Sequence, residues 1–264
     1  METNENQIKP GDFTTMAKDY VNRPGYSHLV LRLLAQHTGA LERPNFVVAD
    51  VGAGTGKLTE DLCALGLTVL AVEPNDIMRE EGIRSTRGLK MTWSKGSGEE
   101  TGLGNGTVDW VLMGSAFHWV EKPRCLHEFY RILKPGGYFT AVYNPRDIEA
   151  CPFQQAIERK INEIAQEPHE EYSAAQREAD DRSLAQSLLS TGAFGDLIFI
   201  EAPYQIHMTP ERYLGYWRSV NAILARVGPE KWQRILEMIE REMAGLDELV
   251  IPYKTRAWTV RRHE

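Results

Sequence analysis

Val47-Val48-Ala49-Asp50-Val51-Gly52-Ala53-Gly54-Thr55-Gly56-Lys57 is the stretch whose reading decides the fold. A short apolar run, Phe46–Asp50, passes into alternate glycines and then into Lys57–Leu65, where Leu58, Leu62 and Leu65 fall at helical spacing. Strand, glycine turn and helix in that order open a βαβ unit. Residues without a Cβ let the backbone turn sharply there and come close to a ligand. Gly66 closes the helix as its C′ residue.

Three uses of such a turn compete. A phosphate-cradling loop needs GxxxxGK followed by Ser or Thr. Here Gly56-Lys57 is followed by Leu58, and Val51 holds the first glycine position. A dinucleotide site needs GxGxxG, but Lys57 stands at the third glycine, where close helix packing wants no side chain. Asp50 would also face a pyrophosphate with like charge. A purely structural turn is the third use, and what lies downstream argues against it. The second strand, Thr68–Val72, ends in Glu73-Pro74-Asn75, and Glu73 lies 21 residues after Gly52 (73 − 52). An acid at that strand end sits beside the turn and can accept both hydroxyls of a ribose.

Working outward, the alternation continues. A short helix over Asp76–Ile83, a weaker strand over Leu89–Ser94 and a strong one over Val108–Met113 are expected. Glu121–Leu133 places Leu126, Phe129, Tyr130 and Leu133 on one helical face, Lys134-Pro135-Gly136-Gly137 breaks it, and Tyr138–Tyr143 is a fifth strand. This rhythm predicts an α/β fold, a Rossmann-like, mostly parallel seven-stranded sheet with helices on both faces. After Asn144 the pattern changes. Phe153–Ala165 is amphipathic, Glu167–Arg182 is acid-rich and is expected as a helical hairpin or loop, and Leu197–Glu201 as a strand. Pro210–Leu224 and Glu230–Ala244 are expected helices, and Val250–Val260 a last strand. The chain is expected to be one domain over 1–264, with an N-terminal lid over about 1–40. Insertions at about 145–190 and 209–246 would form a helical cap.

Composition narrows the partners. The 264 residues can bury a sizeable core. The formal net charge of −7 argues against nucleic acid, since phosphate binding needs a basic stripe. Cys63, Cys125 and Cys151 are scattered, with no CxxC pair, so neither a disulfide framework nor a zinc site is expected, and no metal. The opening METNENQIKPGDF lacks an apolar core, and no run approaches the roughly 20 apolar residues of a membrane helix. A cytoplasmic chain with no membrane partner is the expectation. No feature decides the oligomeric state.

Asp50-x-Gly52-x-Gly54-x-Gly56 with Glu73-Pro74-Asn75 resembles the cofactor signature of class I S-adenosylmethionine-dependent methyltransferases. Met113-Gly114-Ser115-Ala116-Phe117-His118-Trp119 and Arg131-Ile132-Leu133-Lys134-Pro135-Gly136-Gly137 are similar to motifs of the trans-aconitate methyltransferase-like (methyltransferase type 11) subgroup. So is the leader Phe13…Ala17…Tyr20…Arg23-Pro24-x-Tyr26. The resemblance runs from about 13 to 145 and is loose beyond.

It implies S-adenosyl-L-methionine as cofactor, held by the turn residues Gly52, Ala53, Gly54 and Gly56. Glu73, Pro74 and Asn75 would lie on the ribose, Asp50 towards the cationic methionine end, and Gly114 and Ser115 at the fourth strand's end. Met78 would line one adenine face, and Ser97, Gly98 and Glu99 the adenine edge, although the family commonly has an acid where Ser97 stands. Tyr20 and Arg23 would fold over the methionine moiety, an arginine fork suiting its carboxylate. His118, which titrates in the right range, is the candidate general base. Trp119, Tyr143 and Arg218 are candidate substrate contacts. The activity implied is methyl transfer to an oxygen, carboxylate or hydroxyl, of a small molecule. An amine acceptor, a non-catalytic cofactor-binding protein and a dinucleotide-dependent oxidoreductase stay open as alternatives.

Overall fold

Strands that are apolar on both faces can be buried only in a sheet covered on both sides. Such a sheet is the centre of the computed structural model, which describes residues 16–166 and 174–264. Seven strands lie in the order β3-β2-β1-β4-β5-β7-β6. They are β1 Val47–Val51, β2 Thr68–Val72, β3 Met91–Ser94, β4 Val108–Gly114, β5 Leu133–Tyr143, β6 Phe194–Met208 and β7 Leu249–Arg262. β1 pairs in parallel with β2 and β4, β2 with β3, and β4 with β5, while β7 runs antiparallel to β5. This is the Rossmann-like, mostly parallel arrangement that the alternation predicts.

Period-two alternation sorts side chains to the two faces. Val48, Trp110 and Leu112 pack with Leu31, Leu34, Leu58 and Leu62 from α2 His28–His37 and α3 Lys57–Ala64. Ala49, Val111 and Met113 pack on the other face with Leu126, Phe129 and Ile132 of α5 Lys122–Ile132. Leu31 and Leu34 are fully buried, so α2 is a core helix. α2 thus lies within the stretch of about 1–40 expected as a lid, and of that stretch 1–15, with Phe13, lies outside the described residues.

Several expected boundaries move, each for a physical reason. α5 ends at Ile132 and passes straight into β5, whose Leu133 pairs with Val108 across a register shift. The Lys134–Gly137 break is thus absorbed as an irregular strand start. β6 runs well beyond Leu197–Glu201 despite Pro203, because it is the edge strand, where a missing N–H costs no ladder bond. The expected Pro210–Leu224 helix divides into α8 Pro210–Arg218, capped by Thr209, and α9 Asn221–Glu242, which kinks at Gly228-Pro229. The described part of the acid-rich segment is helical and belongs to α7 Ala174–Leu189, and its part over 167–173 lies outside the described residues.

The chain divides into two compact units. Among the described residues, one comprises 25–145, 174–204 and 254–264 and holds most of the sheet; the other comprises 16–24, 146–166 and 205–253. α7 belongs with the sheet. The second unit contains α1 Ala17–Tyr20, α6 Pro152–Ala165, α8 and α9.

Candidate active site

In an open α/β sheet ligands meet the carboxyl ends of the strands. In the sheet unit these ends carry the glycine turn after β1, Glu73 after β2, and the Ser115–Trp119 loop after β4. Gly52, Gly54 and Gly56 all take positive φ (72°, 58° and 85°), a conformation that other residues adopt only with strain. The Gly52 and Ala53 amides donate to the Val72 carbonyl at 2.8 and 3.1 Å, which locks the turn to β2. Glu73 then closes the geometry. Its Oε2 accepts the Gly54 N–H at 2.9 Å and its Oε1 the Asn75 N–H at 2.9 Å. Burial pushes the Glu73 carboxyl above its ordinary pKa, against the pull of those two amides and of Arg79.

α4 Asp76–Ser85 is packed hard against this turn. Asn75 caps it by accepting from the Ile77 and Met78 amides. Met78 is buried, its methyl 3.5 Å from where a Cβ on Gly54 would lie. Asn75 is thus placed as a helix cap, and Met78 as a wall of the turn. Pro74 lines a shallow groove of about 290 Å³ with Lys95, Gly96, Ser97, Glu100 and Gly102.

The residues after β3 are bound locally. Ser97 Oγ accepts from the Glu99 and Glu100 amides, both at 3.2 Å. Gly98 lies where a Cβ would meet Val120 at 2.8 Å and Cys125 at 3.1 Å. Burial raises the Glu99 carboxyl, but the Glu121 N–H it accepts at 2.8 Å and its other donors outweigh this, and its pKa falls. Glu99 therefore caps α5, a role that no sequence spacing announces.

Asp50 is fully buried and turned towards α3, where Oδ2 accepts the Thr59 hydroxyl at 2.6 Å. Its Oδ1, like the buried hydroxyl of Thr55 in the turn, has no hydrogen-bond partner. Burial raises its pKa from 3.8 to about 7; the Thr59 bond lowers it, and the Glu73 and Asp61 charges add to the rise. A folded pKa above the unfolded one means that the native chain keeps a proton the unfolded chain releases. Asp50's contribution is therefore full below about pH 4 and is lost as pH rises through about 7. Asp50→Asn should gain stability relative to the parent across this window, in urea melts of the ligand-free chain. A pH-independent difference would show that Asp50 does not titrate there.

At the end of β4, Ser115 takes φ 53° and Gly114 lies under the Tyr26 ring, where a Cβ would come within 2.7 Å of the Tyr26 hydroxyl. That hydroxyl is 3.3 Å from Ser115 Oγ. Tyr26 is held by its backbone. Asp61 accepts its N–H at 2.6 Å, and Asn144 donates to the neighbouring Gly25 carbonyl at 2.9 Å. Tyr26 is the site residue that residue-by-residue reading passed over, and Arg23-Pro24-x-Tyr26 was the signal available. His118 is exposed, its ring 4.6 Å from Trp119 and 5.9 Å from Tyr143. Partial burial, then the Lys122 ammonium, hold its pKa below the usual histidine value, so the imidazole is neutral at pH 7. Burial pushes the Tyr143 phenol up to about 12. Trp119 is 50% exposed.

The remaining candidates belong to the second unit. Arg23 lies over the Tyr20 ring at 4.2 Å and donates from Nε and Nη2 to Ser219, the C-cap of α8. Arg218 is exposed on the last turn of α8. Among the described residues no three His, Cys, Asp or Glu side chains gather to hold a metal ion, and no helix is long and apolar enough to cross a membrane.

The arrangement matches known proteins where its geometry is densest. The family described as a methyltransferase domain matches residues 49–141, from inside β1 to inside β5. Over 104 residues the chain is 42% identical to an uncharacterised methyltransferase of Mycobacterium tuberculosis, a match covering 38% of this chain and 40% of that one. The chain thus spans about 40% of the length of that relative. A methyltransferase-like protein of Schizosaccharomyces pombe is 25% identical over 223 residues, 81% of each chain. Among solved structures, a protein described as a type II methyltransferase of Anaeromyxobacter dehalogenans superposes with a TM-score of 0.58 at 20% identity. It covers 92% of this chain and 97% of its own. A phosphoethanolamine N-methyltransferase of Haemonchus contortus, solved with S-adenosyl-L-methionine, gives 0.53 at 15% identity, covering 99% of this chain and 59% of its own. The fold is that of class I methyltransferases.

Proposed function

We propose that the chain is an S-adenosylmethionine-dependent methyltransferase that transfers the methyl group to an oxygen, carboxylate or hydroxyl, of a small molecule. The observation that carries this is the Glu73 carboxylate held 2.9 Å from the Gly54 amide, at the end of β2. Two N–H donors use one lone pair on each oxygen, and each oxygen keeps capacity for a ribose hydroxyl. The fit of the cofactor is supported by the unpartnered Asp50 Oδ1 and Thr55 Oγ1 in the same turn, which are polar atoms a ligand or its bound water could satisfy. Gly52 and Gly54 would leave room for the methionine and ribose, and the Pro74–Ser97 groove for the adenine.

S-adenosylmethionine supplies the methyl group as a sulfonium. The chain's own part is to align the acceptor and keep water away from it. Tyr26, Ser115, His118 and Tyr143 are the polar and aromatic groups at the ends of β4 and β5 that would do so. A neutral His118 can take the proton of a hydroxyl acceptor, whereas a carboxylate needs no base. His118→Ala that keeps full turnover would remove the imidazole from that step. The net charge of −7 supports a small molecule over a nucleic acid, and the free cysteines fit a reducing cytoplasm.

The test is a thermal shift with S-adenosylmethionine, S-adenosylhomocysteine, NAD and NADP, followed by radiolabelled methyl transfer to panels of acids, alcohols and amines. Stabilisation by the two adenosyl-sulfur ligands alone and label on an acid or alcohol are expected. A shift with a dinucleotide alone overturns the reading. Label on amines alone corrects the acceptor atom.

A further inference from the structure

The peptide group that joins Gly25 to Tyr26 is held at both its ends. Its N–H donates to Asp61 Oδ2 on α3 at 2.6 Å. Its carbonyl accepts from Asn144 Nδ2, just after β5, at 2.9 Å and from the Tyr204 hydroxyl on β6. The next amide, that of Ser27, donates to the Thr255 hydroxyl on β7 at 2.7 Å, and this hydroxyl donates in turn to Asn144 Oδ1 at 2.9 Å. These residues all belong to the sheet unit. Gly25 is fitted to the carboxylate, since a Cβ there would meet Asp61 Oδ2 at 2.6 Å and Oδ1 at 2.8 Å.

A fixed peptide fixes the side chain that follows it. Tyr26 is buried, and its ring covers Gly114 at the carboxyl end of β4, with the hydroxyl 3.3 Å from Ser115 Oγ. Turning the peptide would carry the ring off that strand end. The groups on the carbonyl side are neutral, whereas Asp61 brings a charge. Its side chain is 14% exposed, and His28 Nε2 lies 3.6 Å from Oδ1. Burial raises its pKa from 3.8 to about 6 and Glu60 adds to the rise, against the Tyr26 amide, His28 and Lys57. The Asp50 carboxyl also lies within its field. With the folded pKa above the unfolded one, this contribution to stability is full below about pH 4 and lost as pH rises through about 6. An ionised Asp61 therefore costs stability at neutral pH, where a neutral amide could accept the same N–H without that cost. What the charge does strengthen is the bond that aims Tyr26.

From this we infer that Asp61 is a positioning residue of the cofactor site: by holding the Gly25–Tyr26 peptide it sets the Tyr26 ring over Gly114 and Ser115. The inference rests on the methyltransferase reading, which gives that strand end to the cofactor, and adds to it a residue of α3 that lies outside the glycine turn.

The test measures S-adenosylhomocysteine affinity of the full chain by titration calorimetry, with thermal melts on the same preparations. Asp61→Asn should weaken the ligand about tenfold at pH 8, as expected of a lost charge-assisted bond. The ligand-free variant should melt no lower than the parent. The parent's advantage should shrink towards one as pH falls through about 6, where Asp61 itself becomes neutral. Gly25→Ala, which displaces the carboxylate without removing it, should lose affinity to a similar degree. In a Tyr26→Leu background Asp61→Asn should cost less than twofold, because the ring through which it acts is gone. Either single variant binding like the parent, an equal loss with and without the Tyr26 ring, or a loss that does not change with pH overturns the inference alone. So does an Asp61→Asn chain that binds weakly and also melts lower, since Asp61 is then a structural residue. Failure of S-adenosylhomocysteine to bind the parent overturns the methyltransferase reading, and this inference falls with it.

Discussion

Replacing Glu73 by Gln should weaken S-adenosylhomocysteine binding by about a hundredfold while leaving the ligand-free chain as stable as before, or more so. The two effects have one cause. A buried carboxylate is costly in the free protein, and burial accordingly pushes the Glu73 pKa up, with the Asn75 and Gly54 amides offsetting only part of that rise. A folded pKa above the unfolded one again means stability lost as pH rises through it, so at neutral pH the neutral amide escapes a cost that the parent bears. The same charge is what a ribose needs. Each hydrogen bond to an ionised group contributes about 1.5–3 kcal/mol, so two hydroxyls lose about 3 kcal/mol or more. At about 1.4 kcal/mol per tenfold, that is two orders of magnitude in Kd. Gln keeps one acceptor oxygen, so either Gly54 or Asn75 retains its partner and the turn keeps most of its geometry. Titration calorimetry and urea melts on the same preparation test both halves. A Gln variant that binds S-adenosylhomocysteine like the parent removes Glu73 from the ribose.

The opposite signs separate a binding group from a packing group, and they bear on how much of the site could be read in the chain. The Gly52–Gly56 turn and Glu73 were legible because each role imposes a residue type at a fixed strand end. β2 is legible to the residue, Thr68–Val72, since its apolar run is bounded by Gly66 and Pro74. What could not be read is side-chain partnership across distant elements. Glu99 lies two residues from Ser97 in a stretch expected to face adenine, yet it caps α5, whose N-terminus is 22 positions away. Asp50 bonds to Thr59 within the same βα unit, but only the fold of the turn directs it towards α3 rather than outward. Arg23, expected to face a carboxylate, donates from Nε and Nη2 to Ser219, the C-cap of α8, 196 residues away. Tyr26 has the same history. A tyrosine three residues after an arginine has no periodicity of its own, and only Gly114, short of a Cβ, records that a ring lies over it. The longer strand β6 and the divided α8 and α9 were missed for local reasons: an edge strand tolerates Pro203, and Ser219-Val220 is a break without glycine or proline.

Gly82 carries the second large effect, and it couples stability to the site. It is a glycine inside α4, where alanine would ordinarily stabilise a helix by about 1 kcal/mol. Here the added Cβ would meet the Trp93 ring at 2.4 and 2.5 Å and the Gly54 carbonyl at 3.2 Å. Trp93 cannot swing away freely, because its indole N–H donates to Thr86 at 3.0 Å and its ring lies 3.2 Å from where a Cβ on Gly56 would be. Ser85 in the next turn ties α4 to the Thr55 carbonyl at 3.0 Å. Overpacking of a rigid contact costs about 1–3 kcal/mol, and a chain of this size loses about 2–4 °C in Tm per kcal/mol. Gly82→Ala should therefore lower Tm by several degrees despite its better helix propensity. It should also weaken S-adenosylhomocysteine severalfold, since the shifted backbone is that of the glycine turn. Trp93→Leu opens the space the methyl needs. In a double-mutant cycle Gly82→Ala should cost far less in the Trp93→Leu background, with a coupling of about 1 kcal/mol or more for residues in direct contact. A Gly82→Ala chain that melts above the parent would mean that α4 shifts as a body and that the turn does not depend on its seat. Additive costs in the cycle would place the clash at Gly54 and not at the tryptophan. The expected result, coupled loss of stability and affinity with rescue by a smaller ring neighbour, assigns Gly82 to the geometry of the cofactor turn, 28 residues along the chain from Gly54 (82 − 54).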